Sequence, residues 1–441
     1  MTSLADRLFN FKKNELTSVL YASLLYFCIL CGYFFLRPVR EAMGISGGMG
    51  QLRWLFIITS FVSLGLVLIF SGIVSQLNRS KFIPIAYSFV IFCLICFSGL
   101  LFYDVNSGGG FIGSSVETIF ARNIGYVFFV WLSVINLFVN SLFWAFMVDI
   151  FNVDQGKRIF AFIGIGGTLG AIFGAWATDI LSSMSTSSYL PVVLMLIGAL
   201  FFFLSIIIMK KLDKSNKVSS YSNINDDHKT NNPIGGSFSD GFYAVFSSPY
   251  LLGIAAYIVL MAVSNTMIYF TVAQGVLDNN DTFSQRVEGF AQFDMLAQIA
   301  TLFTQIFITT RIIRKIGVGW TLSILPLVTM AGFVVLAIWP VYGLVAIFQA
   351  LHRATRYAIS RPARETLFSV ISPSEKYKAK PLIDVFLYRG GDVAGAGIDG
   401  MLRSLGASLT WVASATVPLA IAWCFLSISL GNAQKKKNKK Q

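Results

Sequence analysis

Residues 190–232 read LPVVLMLIGALFFFLSIIIMKKLDKSNKVSSYSNINDDHKTNN, and the contrast within this stretch decides the fold class. Its first part is an apolar run of about 20 residues, the length that an α-helix needs to cross the hydrocarbon core of a bilayer. Its second part is rich in Lys, Ser, Asn and Asp, which is typical of a solvated linker. The stretch predicts a transmembrane helix that ends in a hydrophilic segment near the middle of the chain.

The composition of the whole chain supports the same interpretation. Of the 441 residues, 55% are hydrophobic and only 12% are charged. An average soluble domain carries about 25% charged residues. With half that share, a globular surface of this size cannot be solvated, which excludes a soluble enzyme, a nucleic-acid-binding domain and a disordered protein.

Long apolar runs recur along the chain. We predict twelve membrane-spanning helices, at 16–37, 52–76, 82–103, 122–149, 159–182, 188–209, 249–276, 288–310, 317–338, 341–360, 381–403 and 407–430. The hydrophilic segment 210–248 separates the sixth span from the seventh. The predicted fold class is an all-α polytopic membrane protein with two six-helix halves, 1–209 and 249–430, and a basic tail at 431–441.

The positions of the basic residues predict the orientation of the chain. If the N-terminus lies in the cytoplasm, 27 of the 34 Lys and Arg residues fall in cytoplasmic segments. Positive charge favours the cytoplasmic side of a membrane. We therefore expect both termini in the cytoplasm, and the net charge of +13 becomes largely a signal of topology in the lipid bilayer.

The two halves share a weak internal repeat. Lys157 is followed by Gly167 and Gly174, and Lys380 is followed by glycines at the same distances, an offset of 223 residues. In each half a basic loop thus leads into a glycine-rich fifth helix. Two parallel six-helix halves joined by a cytoplasmic linker are typical of a major-facilitator-type transporter.

The end of the first span carries a dense group of charges. Spacings of three and four residues place Tyr33, Arg37 and Arg40 on one helical face. Arginines at the end of a span can reach lipid headgroups, so interfacial anchoring is one interpretation. Because these arginines would lie on the outer side, against the trend of positive charge, we favour substrate binding by Arg37 and Arg40, with Glu41 as a charge-balancing or coupling partner.

Polar side chains also lie in the fourth span. Asn136 and Asn140 are one turn apart and share a face, where they either bind substrate or join two helices by hydrogen bonds. Asp149 lies about half a turn round the helix axis from Asn140. It either contacts substrate or pairs with Lys157 or Arg158, which begin the next span.

Small residues recur at every fourth position of the fifth span, as Gly166, Gly170 and Gly174. This spacing lets two membrane helices approach closely. Packing is therefore the interpretation that we favour, and a hinge or gating role, with Lys157 and Arg158 beside it, is the alternative.

The tenth span ends in QALHRATRYAISRPARETLF, and Arg353 and Arg356 fall on one helical stripe there. Arginines this close together do not face lipid. We predict that Arg356 binds substrate. His352 is predicted to be a hydrogen-bonded helix residue rather than a proton relay.

The eleventh span, KAKPLIDVFLYRGGDVAGAGIDG, is unusually charged for a membrane helix. Asp384, Tyr388 and Asp392 fall on one stripe, and Arg389 lies three residues before Asp392, so an internal ion pair can form. A structural ion-pair network is one interpretation. The other is an anion-binding Arg389 that Asp384 and Asp392 balance while the site is empty.

The charge within the spans is biased to arginine, the residue best suited to bidentate binding of phosphate and carboxylate. We therefore predict a transporter for an organic anion, for example a phosphorylated one. The sequence has no motif of ATP hydrolysis, so transport must be secondary. It also has no nucleophile–base or metal cluster, and we expect no enzyme activity, no cofactor, no metal and no nucleic-acid partner.

Two segments of the N-terminal half carry a family resemblance. YFFLRPVREAMG ends the first span, and NSLFWAFMVDIFNVDQGKRIFAFIGIGG leads from the fourth span into the fifth. They resemble the Leu-Arg-x-x-Lys-Asp and Phe-Trp-x-Phe-x-x-Glu-Ile stretches of the bacterial and plastid ATP/ADP translocase family. The family's charged residues fall on Arg40, Glu41, Asp149, Lys157 and Arg158.

Two segments of the C-terminal half extend the resemblance. ATRYAISRPARETLF is similar to the family's Ala-x-Tyr-x-x-x-Asp-Pro-x-Lys-Glu stretch. KAKPLIDVFLYRGGD is similar to its Gly-Lys-x-x-Ile-Asp-Val stretch, which is followed by a Lys and a Gly pair. The matching positions are Tyr357, Pro362, Arg364, Glu365 and Arg389.

The resemblance implies a twelve-helix fold of the major-facilitator type, with Arg40, Asp149 and Arg389 in the substrate path. It also implies exchange of nucleotides such as ATP and ADP, or of related phosphorylated anions, by alternating access. We expect a monomeric antiporter in a bacterial inner membrane. The alternatives are a proton-coupled major-facilitator transporter of another metabolite or a drug, with Asp384, Asp392 and His352 carrying the proton, and a membrane scaffold or sensor.

Overall fold

The structure is a computed structural model that describes residues 15–438 with short gaps. The gaps are 75–78, 111, 113–116, 152, 186, 221–242, 244, 373–374, 376–378 and 381. The backbone alone is described for 67–74, 79–81, 153–154, 156–158, 215–220, 309–311 and 313–315.

The described residues form twelve long helices, as the hydropathy pattern predicts. The first six are α1 (Leu16–Ile45), α2 (Gly48–Val74), α3 (Arg79–Asn106), α4 (Ile119–Ile150), α5 (Val153–Met184) and α6 (Leu190–Ser220). The next three are α7 (Pro249–Asn279), α8 (Phe283–Phe307) and α9 (Thr309–Ile338). The α10 helix has three parts, Tyr342–Ala354, a π-helical turn at Thr355–Ser360 and Arg361–Leu367. The last two are α11, with a π-helical turn at Leu382–Leu387 before Tyr388–Ser404, and α12 (Leu409–Asn438).

Nine helices of the described chain are long and apolar enough to cross a membrane. The exceptions among the twelve are α8, α10 and α11. These three contain Asp294, Arg356 and Arg389, whose charged groups cannot face lipid without a large cost in free energy. The α10 and α11 helices are divided by their π-helical turns into parts shorter than 18 residues, whereas α8 has 25 residues and is less apolar than the nine.

Contacts between helices divide the chain into two compact units. Unit 1 comprises Met1–Gly48, Gly65–Lys229 and Asn280–Met295. In unit 1, α1 packs against α4, α5 and α6, and α3 packs against α4 and α6. Its core is rich in aromatic side chains, including the fully buried Phe128 and Phe202.

Unit 2 comprises Met49–Leu64, Thr230–Asn279 and Leu296–Gln441. In unit 2, α9 packs against α12, and α7 packs against α11 and α12. Tyr257 and Trp423 are buried in its core, with ring centroids 5.3 Å apart. The beginning of α2 thus belongs to unit 2 and the beginning of α8 to unit 1, so the two units do not coincide with the predicted six-helix halves.

The sixth helix is longer than the predicted span. It continues through Ser220, so residues 210–220, which the sequence analysis placed in the linker, are helical. Four of these eleven residues are Lys, which favours helix, and a helix needs no apolar environment to continue into water. The rest of the predicted linker up to 242 lies outside the described residues.

Glycines of α5 lie directly against the backbone of α1. A Cβ atom at Gly170 would lie 2.2 Å from the carbonyl oxygen of Phe27, and one at Gly166 would lie 2.8 Å from that of Ser23. A Cβ at Gly174 would meet the backbone of α1 in the same way. No side chain fits at such distances, so this close approach of two helices requires glycine.

A matching contact occurs in unit 2 between α11 and α7. A Cβ atom at Gly391 would lie 3.0 Å from the carbonyl oxygen of Val259, and one at Gly395 would lie 3.1 Å from that of Val263. The glycines that the predicted repeat used, Gly390 and Gly397, have nothing within 4 Å of an added Cβ. The packed glycines are offset by 225 residues from those of α5, so the predicted offset of 223 is wrong by two.

Candidate functional site

Unit 1 holds four charged side chains in mutual contact, Arg37, Arg40, Glu41 and Asp294, which we call the unit 1 ion cluster. Arg37 donates a hydrogen bond to the carboxylate of Asp294, and its Nε lies 3.7 Å from Glu41 Oε1. Arg40 donates to the Glu41 carboxylate and, at 3.0 Å, to the hydroxyl of Ser133 on α4. Both carboxylates are buried, which is tolerable because each contacts a guanidinium group.

Aromatic rings complete the surroundings of these arginines. The guanidinium carbon of Arg37 lies 5.8 Å from the ring centroid of Phe34, and that of Arg40 lies 5.0 Å from that of Phe129. A cation is attracted to the face of an aromatic ring. Two guanidinium groups and two carboxylates make the cluster neutral overall, and aromatic faces hold the cations in place.

The asparagines of α4 form a second polar group in unit 1, together with Tyr26 of α1. The Tyr26 hydroxyl donates to Asn140 Oδ1 at 3.3 Å. The Asn140 amide nitrogen donates to the backbone oxygen of Asn136 at 2.9 Å and to Asn136 Oδ1 at 2.8 Å. The predicted pair therefore forms on one face of α4, and it contacts α1 through a tyrosine.

In unit 2, Arg356 lies on the π-helical turn of α10. Its guanidinium group donates hydrogen bonds to Asn265 Oδ1 of α7 and to the Tyr388 hydroxyl of α11. The guanidinium carbon lies 5.2 Å from the ring centroid of Tyr357 and 5.5 Å from that of Tyr388. No carboxylate in the described part of the chain lies within salt-bridge distance of Arg356, so this partly buried cation contacts only neutral groups.

The neighbouring ion pair has the predicted i, i+3 spacing. Arg389 Nη1 donates to Asp392 Oδ2 at 3.1 Å, and the Thr266 hydroxyl donates to Asp392 Oδ1 at 3.1 Å. Asp392 is buried, and its charge acts on Arg356 at longer range. Two guanidinium groups and one carboxylate leave an unbalanced positive charge, and we call Arg356, Tyr388, Arg389 and Asp392 the unit 2 arginine site.

Asp384 does not join this site, although the sequence analysis placed it on one stripe with Tyr388 and Asp392. Its carboxylate lies 3.6 Å from Arg364 Nη2. The reason is the π-helical turn at Leu382–Leu387, whose extra residue rotates Asp384 away from the face that an uninterrupted α-helix would give it.

Four other residues were singled out in the sequence, Asp149, Lys157, Arg158 and His352. Asp149 lies in the last turn of α4 and is exposed. Lys157 and Arg158 lie near the beginning of α5, and their side chains are outside the described structure. His352 is buried beside the ring of Phe348, and its Nε2 has no hydrogen-bond partner among the described residues. Substrate contact by Asp149 and a gating role for the basic pair remain predictions.

Sequence reasoning missed a third ion cluster, in unit 2. Arg53 Nε donates to Asp399 Oδ2 at 2.9 Å, and Arg403 Nε lies 3.8 Å from Asp399 Oδ1. Asp399 is completely buried. The i, i+4 spacing of Asp399 and Arg403 was the available signal, whereas Arg53 is distant in sequence.

The described residues include no group of three or more His, Cys, Asp or Glu side chains placed to hold a metal ion.

Tyr26 and Ser133 were also missed as polar partners. Single hydroxyl groups among apolar residues are common in membrane helices, where they often bond to their own backbone, so the sequence offers no signal for them.

Comparison with known families matches residues 115–341, just over half of the chain, to the family described as TLC ATP/ADP transporter. ADP,ATP carrier protein 1 of Chlamydia trachomatis is 22% identical over 475 residues, which cover 93% of this chain and 87% of that protein. The plastidic ATP/ADP-transporter of Solanum tuberosum is 23% identical over 456 residues, which cover 92% of this chain and 71% of that protein.

Solved structures show the same fold at lower identity. A bacterial homologue of the iron transporter ferroportin, in an inward-facing state, superposes with a TM-score of 0.65 and 10% identity. The match covers 94% of this chain and 98% of that one. The prediction of an all-α polytopic membrane protein of the major-facilitator type is thus confirmed.

Proposed function

Because the chain belongs to the TLC ATP/ADP transporter family, and is therefore a membrane transporter rather than an enzyme, we propose that it is a nucleotide antiporter. It exchanges nucleotides of the ATP/ADP type, or related phosphorylated anions, by alternating access. The names of the relatives, ADP,ATP carrier protein and plastidic ATP/ADP-transporter, support this choice of substrate. A bacterial inner membrane is the proposed location.

The observation that carries the proposal is the environment of Arg356. Arg37, Arg40 and Arg389 each contact a carboxylate, whereas Arg356 contacts an amide, a hydroxyl group and two aromatic rings. A guanidinium group that has lost part of its water is stabilised by an anion. The described side chains that contact Arg356 supply no such anion, and a phosphate group of the substrate would supply it.

Within each unit, the other arginines that we propose to bind substrate have carboxylate partners. A phosphate can form bidentate hydrogen bonds with a guanidinium group, as a carboxylate does. Phosphate oxygens would therefore replace Asp294 beside Arg37, and Asp392 beside Arg389. In this proposal Glu41, Asp294 and Asp392 hold the arginines between transport cycles, and release of the product returns each arginine to its carboxylate.

This arrangement favours exchange over one-way movement. When the substrate leaves, the guanidinium group of Arg356 again has no anion in contact with it. The free energy of the site therefore rises. Binding of a second anion from the compartment that the site then faces relieves this cost before the site changes its orientation. The close glycine contacts of α5 with α1 and of α11 with α7 would let each pair of helices move as one body.

The proposal is tested by uptake of radiolabelled ADP and ATP into proteoliposomes, with and without unlabelled nucleotide inside. We expect saturable uptake that depends on the internal nucleotide. Arg356→Gln keeps the size and polarity of the side chain but removes the charge, so we expect it to lower uptake at least tenfold. Lys436→Ala, which removes a charge from the exposed end of α12, is the matched control and should leave uptake unchanged.

Two outcomes would contradict the proposal. The first is the absence of saturable uptake of any nucleotide by the unmodified protein. The second is uptake that a pH gradient drives without internal nucleotide, which would favour the proton-coupled alternative.

A further inference from the structure

The hydrogen-bond partners of Arg356 are two neutral side chains, Asn265 of α7 and Tyr388 of α11, which we call the neutral clamp. Both accept a hydrogen bond from the guanidinium group. A guanidinium group has donors and no acceptor, so the oxygen of the Asn265 amide must face Arg356. The clamp thus holds the cation from two helices and adds no charge of its own.

The clamp uses only part of the hydrogen-bonding capacity of Arg356. A guanidinium group has five N–H donors, and the clamp accepts from two of them. The other donors have no hydrogen-bond partner among the residues that the structure describes. Because the side chain of Arg356 is only partly buried, a small anion can reach it.

Close packing of α7 against α11 fixes the distance between the two acceptors of the clamp. Gly391, three residues after Tyr388, lies against the backbone of α7. A Cβ atom at Gly395 would lie 2.8 Å from the Cβ atom of Thr266, the residue that follows Asn265. The clamp is therefore built on two helices in direct contact, and it holds Arg356 in one position before a ligand arrives.

A purely structural role does not explain why both partners of Arg356 are neutral. Each of the three arginines Arg37, Arg40 and Arg389 contacts a carboxylate. Aspartate has nearly the same size and shape as asparagine, and at position 265 it would compensate a charge that is partly removed from water. A function that requires Arg356 to keep its charge explains why an amide occupies this position.

We propose that the neutral clamp sets the affinity of the unit 2 arginine site for its anion. Asn265 and Tyr388 are positioning residues that hold Arg356 and leave its charge available to an oxyanion of the substrate. With two guanidinium groups and one carboxylate, the site keeps one positive charge in excess. A carboxylate at position 265 would remove this excess and compete with the substrate for the same N–H donors. This inference rests on the proposed function.

The test replaces Asn265 by Asp, which changes the charge of the side chain and keeps its size. The full chain is assayed for its melting temperature in detergent and for the half-saturating ADP concentration of exchange in proteoliposomes. We expect Asn265→Asp to raise the melting temperature by several degrees, because an ion pair with Arg356 forms. The half-saturating ADP concentration should rise at least about fiftyfold, because the new carboxylate has to be displaced from that ion pair.

Asn265→Ala separates the effect of charge from that of hydrogen bonding. It removes one acceptor of the clamp but leaves Arg356 without a carboxylate. The half-saturating ADP concentration should therefore rise only about three- to tenfold, the effect of one lost hydrogen bond, and the melting temperature should fall. We thus expect Asn265→Asp to be more stable than Asn265→Ala and yet to bind ADP more weakly, whereas a packing role predicts that Asn265→Ala is worse in both respects.

The same chemical change at Asn106 is the matched control. Asn106 Oδ1 accepts a hydrogen bond from the Tyr189 hydroxyl at 2.6 Å, in an exposed pair that has no arginine partner in the described part of the chain. Asn106→Asp should change neither the melting temperature nor the half-saturating ADP concentration. Tyr388→Phe keeps the ring beside Arg356 but removes its acceptor, so this variant should behave as Asn265→Ala does.

Pyrophosphate provides a measurement that does not depend on nucleotide exchange. A ligand that binds only the folded state raises the melting temperature. We expect pyrophosphate to raise the melting temperature of the unmodified protein and of Asn106→Asp, and to have little effect on Asn265→Asp.

Three results would overturn the inference. The first is an unchanged half-saturating ADP concentration, or undiminished stabilisation by pyrophosphate, for Asn265→Asp. The second is a lower melting temperature for Asn265→Asp, since no ion pair with Arg356 would then form. The third is an equal loss of ADP affinity in Asn265→Asp and Asn265→Ala, since the charge would then not matter. If the unmodified protein exchanges no nucleotide, the proposed function fails, and the pyrophosphate shifts still decide whether the clamp controls anion binding.

Discussion

Glu41 is the residue on which the unit 1 ion cluster depends. Its single carboxylate contacts the guanidinium groups of both Arg37 and Arg40, and it is only 2% exposed. The second carboxylate, Asp294, contacts Arg37. Without Glu41 the cluster would therefore keep two cations and one anion in a region that excludes water.

We expect Glu41→Gln to destabilise the protein. Removal of one partner from a buried ion pair costs about 3–5 kcal/mol, because the other charge is left without compensation. The melting temperature of the purified protein in detergent should fall by several degrees. Asp281→Asn, which removes an exposed carboxylate at the beginning of α8, should leave it unchanged. Equal melting temperatures for both variants would show that Glu41 does not hold the cluster.

Addition of ADP or ATP should narrow the difference in melting temperature between Glu41→Gln and the unmodified protein. If phosphate groups bind Arg37 and Arg40 in place of carboxylates, ligand binding to the folded state will raise the melting temperature of Glu41→Gln.

At the level of single residues, sequence spacing predicted partners that are close in the chain and missed partners that are distant. The pair of Arg389 with Asp392 follows from a separation of three residues on a helix, and it is present. The partner of Arg37 is Asp294, 257 residues away, and no periodicity links the two. Hydropathy locates helices, but which helix faces which polar residue depends on packing that the pattern of a single helix does not encode.

Among the helices, α10 and α11 differ most from their predicted form. Both contain a π-helical turn, at Thr355–Ser360 and at Leu382–Leu387. Such turns are frequent at functional sites, since the additional residue changes which side chains share a face. The turn in α10 contains Arg356, and the turn in α11 immediately precedes Tyr388. Composition and hydropathy predicted these helices correctly. The assumption of a regular α-helix with 3.6 residues per turn, however, put Asp384 on the same face as Tyr388 and Asp392, which is wrong.

The contact between α5 and α1 predicts a strong effect of a single methyl group. Gly170→Ala would place a Cβ atom 2.2 Å from the carbonyl oxygen of Phe27, so one helix must move. Overpacking of this kind costs about 1–3 kcal/mol. We expect a lower melting temperature, measured by thermal unfolding of the purified protein, and reduced nucleotide exchange.

Gly164→Ala is the matched control, because it lies on the same helix and an added Cβ meets nothing within 4 Å. Alanine is a better helix former than glycine by about 1 kcal/mol, so this variant should be as stable as the unmodified protein or slightly more stable. If both variants behave alike, the close approach at Gly170 does not contribute to stability.

For the molecule as a whole, the distribution of basic residues predicts two cytoplasmic termini. The last turn of α12 contains Lys435, Lys436 and Lys437, which favour the cytoplasmic side. In a bacterial host, green fluorescent protein fused after Gln441 should fluoresce, and alkaline phosphatase at the same position should be inactive. A fusion after Asp281, between α7 and α8, should give the opposite pair of results. The reverse pattern at the two sites would contradict the predicted orientation.

Unit 1 is assembled from segments that are far apart in the sequence, and this constrains its synthesis and folding. Its third segment, Asn280–Met295, is synthesised long after its first. At about 5–20 residues per second, the ribosome needs roughly 13 to 50 seconds to extend the chain from Arg37 to Asp294. Throughout this time α1 has to reside in the membrane without its distant counter-ion, although an arginine in a membrane helix opposes insertion, by up to about 3 kcal/mol at the helix centre. Glu41, one turn away on the same helix, is the only carboxylate of the unit 1 ion cluster that has been synthesised when α1 enters the bilayer, so it is the one cluster member that can pair with Arg37 at that stage.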